Sequence, residues 1–358
     1  MPCVLAAPIF RSVLIRERKR AERSGRPLAL VLVTLPRRHR DPSPGWAAAG
    51  ERLAAAMDAT DVIGWYEPGA VIGIVHPLTA TLDATRPATA VAPNDGSRLG
   101  SCLEREVARG CSVRVLVYPE PVPAATEDLR GLDPAFYPEF AFPRRSDRLR
   151  DAAKRTLDVV ASLLLLVLLA PALAVIAALV KMTSPGPAFF GQTRVGHLTK
   201  PFTVRKFRTM YAHADSAVHR EFVSRFIAAS ATDGHPPANG FFKLTNDPRI
   251  TPLGRFLRKT SLDELPQLWN VLRGDMSLVG PRPPVPYEYL QYRPWHRRRV
   301  IEAKPGLTGL WQVAGRSRTT FDEMVRLDLR YARTRSLRKD LAIICRTPPV
   351  VISGKGAC

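Results

Sequence analysis

Cysteine is scarce and unpatterned in this chain. Cys3, Cys102, Cys111, Cys345 and Cys358 are odd in number, form no C-x-x-C pair and join no Cys/His cluster at metal-ligand spacing. This excludes a secreted disulfide framework and a structural zinc site, and reads as reduced cytosolic thiols. Internal repeats and long low-complexity tracts are also missing, and nothing at the N-terminus has the pattern of a signal peptide. Residues 1 to 150 are therefore expected to stay in the cytosol. Acid is short against base, with 32 Asp and Glu facing 53 Lys and Arg for a formal net charge of +21. Such an excess calls for an anionic partner: nucleic acid, an anionic membrane face or a phosphorylated substrate. No recognisable nucleic-acid-binding motif accompanies the charge, so nucleic acid is not expected.

What the sequence does have is one long apolar run. Residues 157–180 read LDVVASLLLLVLLAPALAVIAALV, without a charge after Asp158. At 1.5 Å per residue, a helix of that length covers a hydrocarbon core about 30 Å thick. Lys154 and Arg155 precede it and Lys181 follows, so by the positive-inside tendency both ends prefer the cytoplasm. Pro171 sits near the middle, where it removes a backbone donor and breaks or kinks the helix. The residues alone leave open a re-entrant helix that dips into one leaflet and an ordinary single crossing.

Residues 1–118 read as a small α/β unit. A basic amphipathic helix (FRSVLIRERKRAERSG) precedes an apolar strand (PLALVLVTL), a helix (WAAAGERLAAAMDA) and a strand pair (DVIGWYEPGAVIGIVHP). A further helix (SRLGSCLEREVARG) and a closing strand (SVRVLVYP) complete it. The alternation predicts a sheet covered on one face. Residues 119–145 are proline-rich and aperiodic, the mark of a linker, and a helix is expected to resume near Ser146. The phrases RAERSGRPLALVLV and DATDVIGWYEPGAVIGIV resemble, weakly, the diguanylate cyclase (GGDEF) domain. The catalytic hairpin of that family would fall at Tyr66, Glu67, Pro68 and Gly69, and the strand LVLVTL ends without a metal-binding aspartate, so the resemblance implies a degenerate, non-catalytic module.

Beyond Val180 the motifs become dense. SLDELPQLWNVLRGDMSLVGPRP, at 261–283, sets adjacent carboxylates Asp263 and Glu264 among Arg255, Arg258, Lys259, Arg273 and Arg282. Ser261 to Glu264 also spells a capping box, which needs only one acid and leaves the cations unexplained. A carboxylate can attack phosphorus and split one transfer into two easier steps, provided cations and a divalent metal shield the repulsion. Pro266 predicts that the pair lies in the first turn of a helix, whose positive dipole end favours carboxylate and phosphate.

KFRTM, DPRITPLGRFLRKTSLDELPQLWNVLRGDMSLVGPRP and PGLTGLWQV together resemble the bacterial sugar transferase family, the monotopic polyprenyl-phosphate phosphoglycosyl transferases, from about Lys154 to the C-terminus. The resemblance implies that Asp263 attacks the β-phosphorus of a UDP-sugar, that UMP leaves, and that polyprenyl phosphate takes the phospho-sugar. It also implies that Glu264 completes the dyad and, with Asp263, would help hold Mg²⁺, or would itself assist proton transfer. The membrane helix would be re-entrant, broken at Pro171, on the cytoplasmic face of the inner membrane with both termini cytoplasmic, in exopolysaccharide or other surface-glycan synthesis.

Lys206 and Arg208 alternate on a strand-like stretch and can point to one face as phosphate contacts, or guard an edge strand. Arg282, fixed between prolines, suits a guanidinium fork for phosphate. Arg255 and Arg258 lie three apart on a helix leading to the dyad and contact phosphate or pair with Asp263 or Asp247. Gln312, Arg316 and Arg318 follow an apolar turn and either close over nucleotide or sugar or have no ligand role, while Trp295 reads as an interfacial anchor. Two departures from the family stand out: Ala170 precedes the membrane proline where serine is common, and YARTRSLRKD lacks a tryptophan often found before the serine. The expected fold is mixed α/β: an N-terminal sandwich-like module on 1–118, then a helix-rich α/β catalytic domain on 146–358 with amphipathic interfacial helices. A membrane-tethered nucleotide sensor or scaffold is the alternative; the sugar and the oligomeric state, homo-oligomer included, stay open.

Overall fold

The computed structural model describes residues 4–34, 44–78, 98–119, 132–143, 145–211, 249–314 and 319–352, with isolated positions 220, 221, 224 and 227. The chain divides into two compact units: Met1–Val122 with Asp133–Pro143, and Pro123–Leu132 with Arg144–Cys358.

In the first unit, strands β1 (Leu28–Thr34), β2 (Val62–Glu67), β3 (Val71–Pro77) and β4 (Ser112–Tyr118) form an antiparallel sheet of order β2-β3-β1-β4. Helices Ala7–Ser24, Pro44–Ala55 and Arg98–Ala108 occupy the predicted places. The sheet is covered on both faces, which corrects the expectation of one. Val31, Val33, Ile63, Ile72 and Ile74 pack on Leu53 and Leu103 of the second and third helices. Gly64 and Gly73 face the other way, where a Cβ would come within 2.6 and 2.4 Å of Phe10 on the first helix. Side chains alternate along a strand, so the central strand, buried from Leu28 to Val33, needs cover on each side. Residues 133–143, inside the stretch read as a linker, are ordered: a 3-10 turn at Pro134–Phe136 and a short helix at Pro138–Ala141 bury Phe136 and Tyr137.

The second unit starts with one helix, Arg145–Thr183, whose helical run passes through Pro171 without interruption. The expected break is therefore absent from the helical run; a proline deletes one ladder hydrogen bond, and membrane helices tolerate this. One stripe of the helix packs on the unit. Asp158 and Ser162 are buried, Leu166 joins the core of Val204, Leu268, Val271 and Val279, and Leu173, Ala177 and Val180 join Phe207 and Leu257. Leu164, Val167, Leu168 and Val175, on the opposite stripe, are 59 to 74% exposed. Strands β5 (Phe189–Val195) and β6 (Pro201–Phe207) form an antiparallel hairpin, and β7 (Ser277–Val279) pairs in parallel with β8 (Gly306–Thr308).

Lys154 and Arg155, read as flanking charges, have specific work. Lys154 Nζ donates to Val279 O at 3.2 Å and pairs with Asp340 at 2.8 Å, while Arg155 donates to Val271 O and Leu272 O at 2.6 and 2.7 Å. Asp158 Oδ1 accepts from Ser277 Oγ and Leu278 N, both at 3.0 Å. Helix Arg145–Thr183 is thus latched to β7 and to helix Gln267–Arg273, the helix that follows the dyad.

Candidate active site

The dyad sits on a 3-10 turn, Leu262–Glu264, between helices Pro252–Lys259 and Gln267–Arg273. The capping box expected at Ser261 does not form. Ser261 has φ +56°, in the left-handed region, and its side chain caps nothing. The carboxylates precede the following helix, whose N-cap is Pro266, rather than lying in its first turn. Side-chain packing positions them instead. Leu262 enters the cluster of Val180, Phe207 and Leu257, and Leu265 the core of Leu268 and Val271, so the turn is pinned on both sides of the acids. Buried Asn270 ties the next helix to β6, donating to Thr203 O at 2.8 Å and accepting from Arg205 N at 3.0 Å.

A cleft opens beside this turn, lined by Arg194, Lys206, Glu264, Gln267, Arg282 and Gln312 among others. Lys206 Nζ lies 3.0 Å from Glu264 Oε1, and Arg282 Nη1 lies 3.6 Å from the same oxygen. Asp263 is 7% exposed, more deeply set than Glu264, and adds to the field that keeps Lys206 charged. Burial is the stronger influence on Lys206 and pushes its ammonium below the ordinary lysine range, with Glu264 opposing. Burial, reinforced by Arg282, takes the Arg194 guanidinium down to about 10. Cations desolvated in this way are poised for an anion that supplies the missing countercharge.

The segment carrying Arg282 is held at four consecutive carbonyls. Pro281 O accepts from Gly306 N at 2.8 Å, Arg282 O from Arg299 Nη2 at 3.1 Å, Pro283 O from Arg194 Nη1 at 2.9 Å and Pro284 O from Val195 N at 2.9 Å. With its prolines fixing φ, Arg282 presents its guanidinium from an immobilised backbone. Arg299 is itself paired with Asp328 at 2.7 Å, each side chain 1% exposed, and donates to Tyr292 at 3.1 Å. Removing one partner of a buried pair leaves the other charge uncompensated. Asp328→Ala should therefore cost about 3–5 kcal/mol of stability, read as a lowered unfolding midpoint in detergent; an unchanged midpoint would contradict it.

The other expected site residues are dispersed. Arg208 is 8% exposed, and its guanidinium donates to Pro185 O at 2.7 Å and to Ser184 O and Oγ at 2.7 and 2.9 Å, outside the cleft lining. It braces the turn after the long helix, and does not share a phosphate-binding face with Lys206 there. Arg255 is exposed and Arg258 half-buried on helix Pro252–Lys259, and neither lines the cleft. Gln312 does line it. Arg316, Arg318 and Asp247 fall outside the described residues. Arg194 and Gln267 are cleft residues that sequence reasoning did not single out; Gln267 follows the dyad motif directly, whereas nothing local marks Arg194 as inward-facing.

The chemistry of the site is that of anion binding beside a carboxylate pair. Among the described residues no group of three or more His, Cys, Asp or Glu could hold a metal. Mg²⁺ needs only one or two carboxylates when water and substrate phosphates complete its shell. Asp263 and Glu264 would be the residues to hold it.

A family model described as bacterial sugar transferase matches residues 149–354. An undecaprenyl-phosphate galactose phosphotransferase of Salmonella typhimurium is 44% identical over 205 residues, covering 57% of this chain and 41% of the relative. The exopolysaccharide production protein ExoY of Rhizobium meliloti is 41% identical over 205 residues, 57% of this chain and 88% of the relative. A UDP-glucose:undecaprenyl-phosphate glucose-1-phosphate transferase of Caulobacter vibrioides is 43% identical over 214 residues, 58% and 72% respectively. The chain thus spans less than half of the Salmonella relative's length. A crystal structure of a DGC protein from Thermotoga maritima covers 34% of this chain and 86% of its own at 18% identity and a TM-score of 0.25.

Proposed function

Because this chain belongs to the bacterial sugar transferase family, matched over residues 149–354, we propose that it moves a sugar 1-phosphate from a UDP-sugar to polyprenyl phosphate, the first membrane step of a surface glycan. The observation that carries this reading is the carboxylate pair beside a cleft lined by Lys206, Arg194 and Arg282. Those cations would bind the diphosphate and stabilise the charge that gathers on the transferring phosphoryl group. Glu264 is already held through Oε1 by two cations, which stabilises it as an anion and weakens it as a nucleophile. Attack is assigned to Asp263, the role that the resemblance of the SLDELPQ motif to the family implies. Its carboxylate oxygen forms a bond to the β-phosphorus, the bond from that phosphorus to the bridging oxygen breaks, and UMP leaves with the electron pair. A phosphate oxygen of polyprenyl phosphate then attacks the same phosphorus, freeing the carboxylate and giving the polyprenyl diphosphate sugar. Mg²⁺ at Asp263 and Glu264 would neutralise diphosphate charge.

The test is UMP release from a panel of UDP-sugars with polyprenyl phosphate in detergent. UDP-galactose and UDP-glucose come first, since relatives are named for galactose and glucose transfer. Acceptor-dependent UMP release with one sugar supports the reading; no release with any contradicts it. Alkaline pH should expose the cations' role. Lys206 is charged below its depressed pKa and neutral above it, and Arg194 behaves alike at about 10. KM for the UDP-sugar should thus climb as pH rises through the range below the ordinary lysine value, and Lys206→Arg should move that climb to higher pH.

The packed stripe of the helix argues against a straight crossing of the bilayer. Its packing on the catalytic unit runs from Asp158 to Val180, on both sides of Pro171. A straight crossing would draw that unit into the bilayer, where each arginine costs about 2.5 to 3.5 kcal/mol at the centre on the insertion scale. Both flanks of the helix should then face the cytoplasm. Glu120→Cys and Arg330→Cys, each in a background without the native cysteines, should resist an impermeant maleimide in intact cells and react after lysis. Labelling of only the later site in intact cells would mean a crossing.

A further inference from the structure

A second depression lies against the long helix, on the far side of β6 from the cleft. Side chains alternate along β6, and the alternation divides the two sites: Val204 and Lys206 line the cleft, whereas Arg205 and Phe207 line the groove. The turn after the dyad is divided in the same manner, with Glu264 and Gln267 on the cleft and Pro266 and Trp269 on the groove. Leu166 and Leu173, on either side of Pro171, close the groove along the helix. Phe189 stacks on Phe207 with ring centroids 5.2 Å apart. The groove is apolar, and its aromatic walls are about half exposed: Trp269 is 46% and Phe189 49% exposed. Its one charged lining residue is Arg205, whose guanidinium makes no ion pair or hydrogen bond among the described residues.

We propose that this groove seats the acceptor, polyprenyl phosphate, with the first isoprenoid units against Leu173, Phe189 and Trp269 and the phosphate drawn by Arg205 around Pro266 toward Asp263. The inference rests on the transferase reading and assigns the acceptor a place separate from the nucleotide cleft. A phosphate monoester on a long apolar chain has the chemistry the groove offers: an apolar trough walled along the membrane helix by Leu166 and Leu173, with a cation, Arg205, in its lining. The separation suits a two-step transfer, since the acceptor can wait beside the turn while UMP leaves on the other side of β6. The groove is also where a bulk phospholipid could lodge, and the test distinguishes the two.

The full chain in nanodiscs is photolabelled with a diazirine-bearing polyprenyl phosphate and digested for peptide mapping. Label is expected on peptides of β5, β6 or residues 265–273, competed by unlabelled polyprenyl phosphate and not by an equal excess of phosphatidylglycerol. Label elsewhere, or equal competition by phosphatidylglycerol, overturns the proposal. This readout needs no turnover, so specific labelling in a chain that releases no UMP from any UDP-sugar would retain the groove and reject the transfer reading. In an active chain, Trp269→Ala and Arg205→Gln should each raise KM for polyprenyl phosphate about tenfold, a loss of about 1.4 kcal/mol. The loss should fall on the acceptor step, with the UMP burst formed without acceptor retained and Trp269→Phe restoring most of the affinity. An unchanged acceptor KM in both variants, or loss of burst and acceptor step in parallel, counts against it.

Discussion

Asp263→Asn should lower UMP release by several orders of magnitude while leaving the fold intact, because on the proposed mechanism it removes the covalent nucleophile and leaves only binding and electrostatics to catalyse. The substitution is nearly isosteric, and the turn that bears it is held by neighbours. Leu262 and Leu265 anchor it in two apolar clusters, and Asn270 fixes the following helix to β6. A normal unfolding midpoint with no turnover is the expected pair of results. Near-normal UMP release by the purified variant would remove Asp263 from the mechanism. Glu264→Gln is the informative companion, since it strips Lys206 and Arg282 of their shared carboxylate oxygen without touching Asp263.

Chelation should have an effect of similar size. On the proposed mechanism the diphosphate brings more negative charge to the turn that bears Asp263 and Glu264, and burial opposes the charged form of Lys206. EDTA should silence UMP release, and Mg²⁺ or Mn²⁺ in excess should restore it. Full activity in chelator, with bound metal excluded by elemental analysis, would contradict this.

Much of the local architecture was legible because the signals were local. The three long helices and four strands of the first unit follow from periodic apolar runs bounded by glycine, proline or polar turns, whereas the short helix Pro138–Ala141 lies in an aperiodic proline-rich stretch. The double cover of its sheet was also written in the sequence, since LALVLVT is an unbroken apolar run rather than an alternating one, which is the pattern of a strand buried on both faces. The long helix shows what composition cannot reach. Its apolar stretch and its start, expected near Ser146 and found at Arg145, were evident, yet the latching of Lys154 and Arg155 onto the carbonyls of Val279, Val271 and Leu272 joins residues more than a hundred positions apart.

The same limit governed the site. Arg194 and Arg208 are both cations at the ends of strand-like runs, and nothing in either neighbourhood separates them. Tertiary partners do: Arg208 is spent on the carbonyls of Ser184 and Pro185, whereas Arg194 clamps Pro283 and still lines the cleft. Ser261 failed as a cap because its left-handed backbone turns the chain before the carboxylates, a geometry set by the packing of Leu262 and invisible to a four-residue motif. Arg282 was legible for the opposite reason. Its flanking prolines fix the backbone from within the sequence, and the structure adds the four carbonyl contacts that hold it.

The central claim, that the phospho-sugar passes through Asp263, is tested most directly by mass spectrometry of the chain incubated with its UDP-sugar and no acceptor, quenched in acid and digested. The account predicts a peptide containing Asp263 heavier by one sugar phosphate, formed together with a burst of UMP and discharged when polyprenyl phosphate is added. UMP release that occurs only with both substrates present, with every peptide at its unmodified mass, would contradict it.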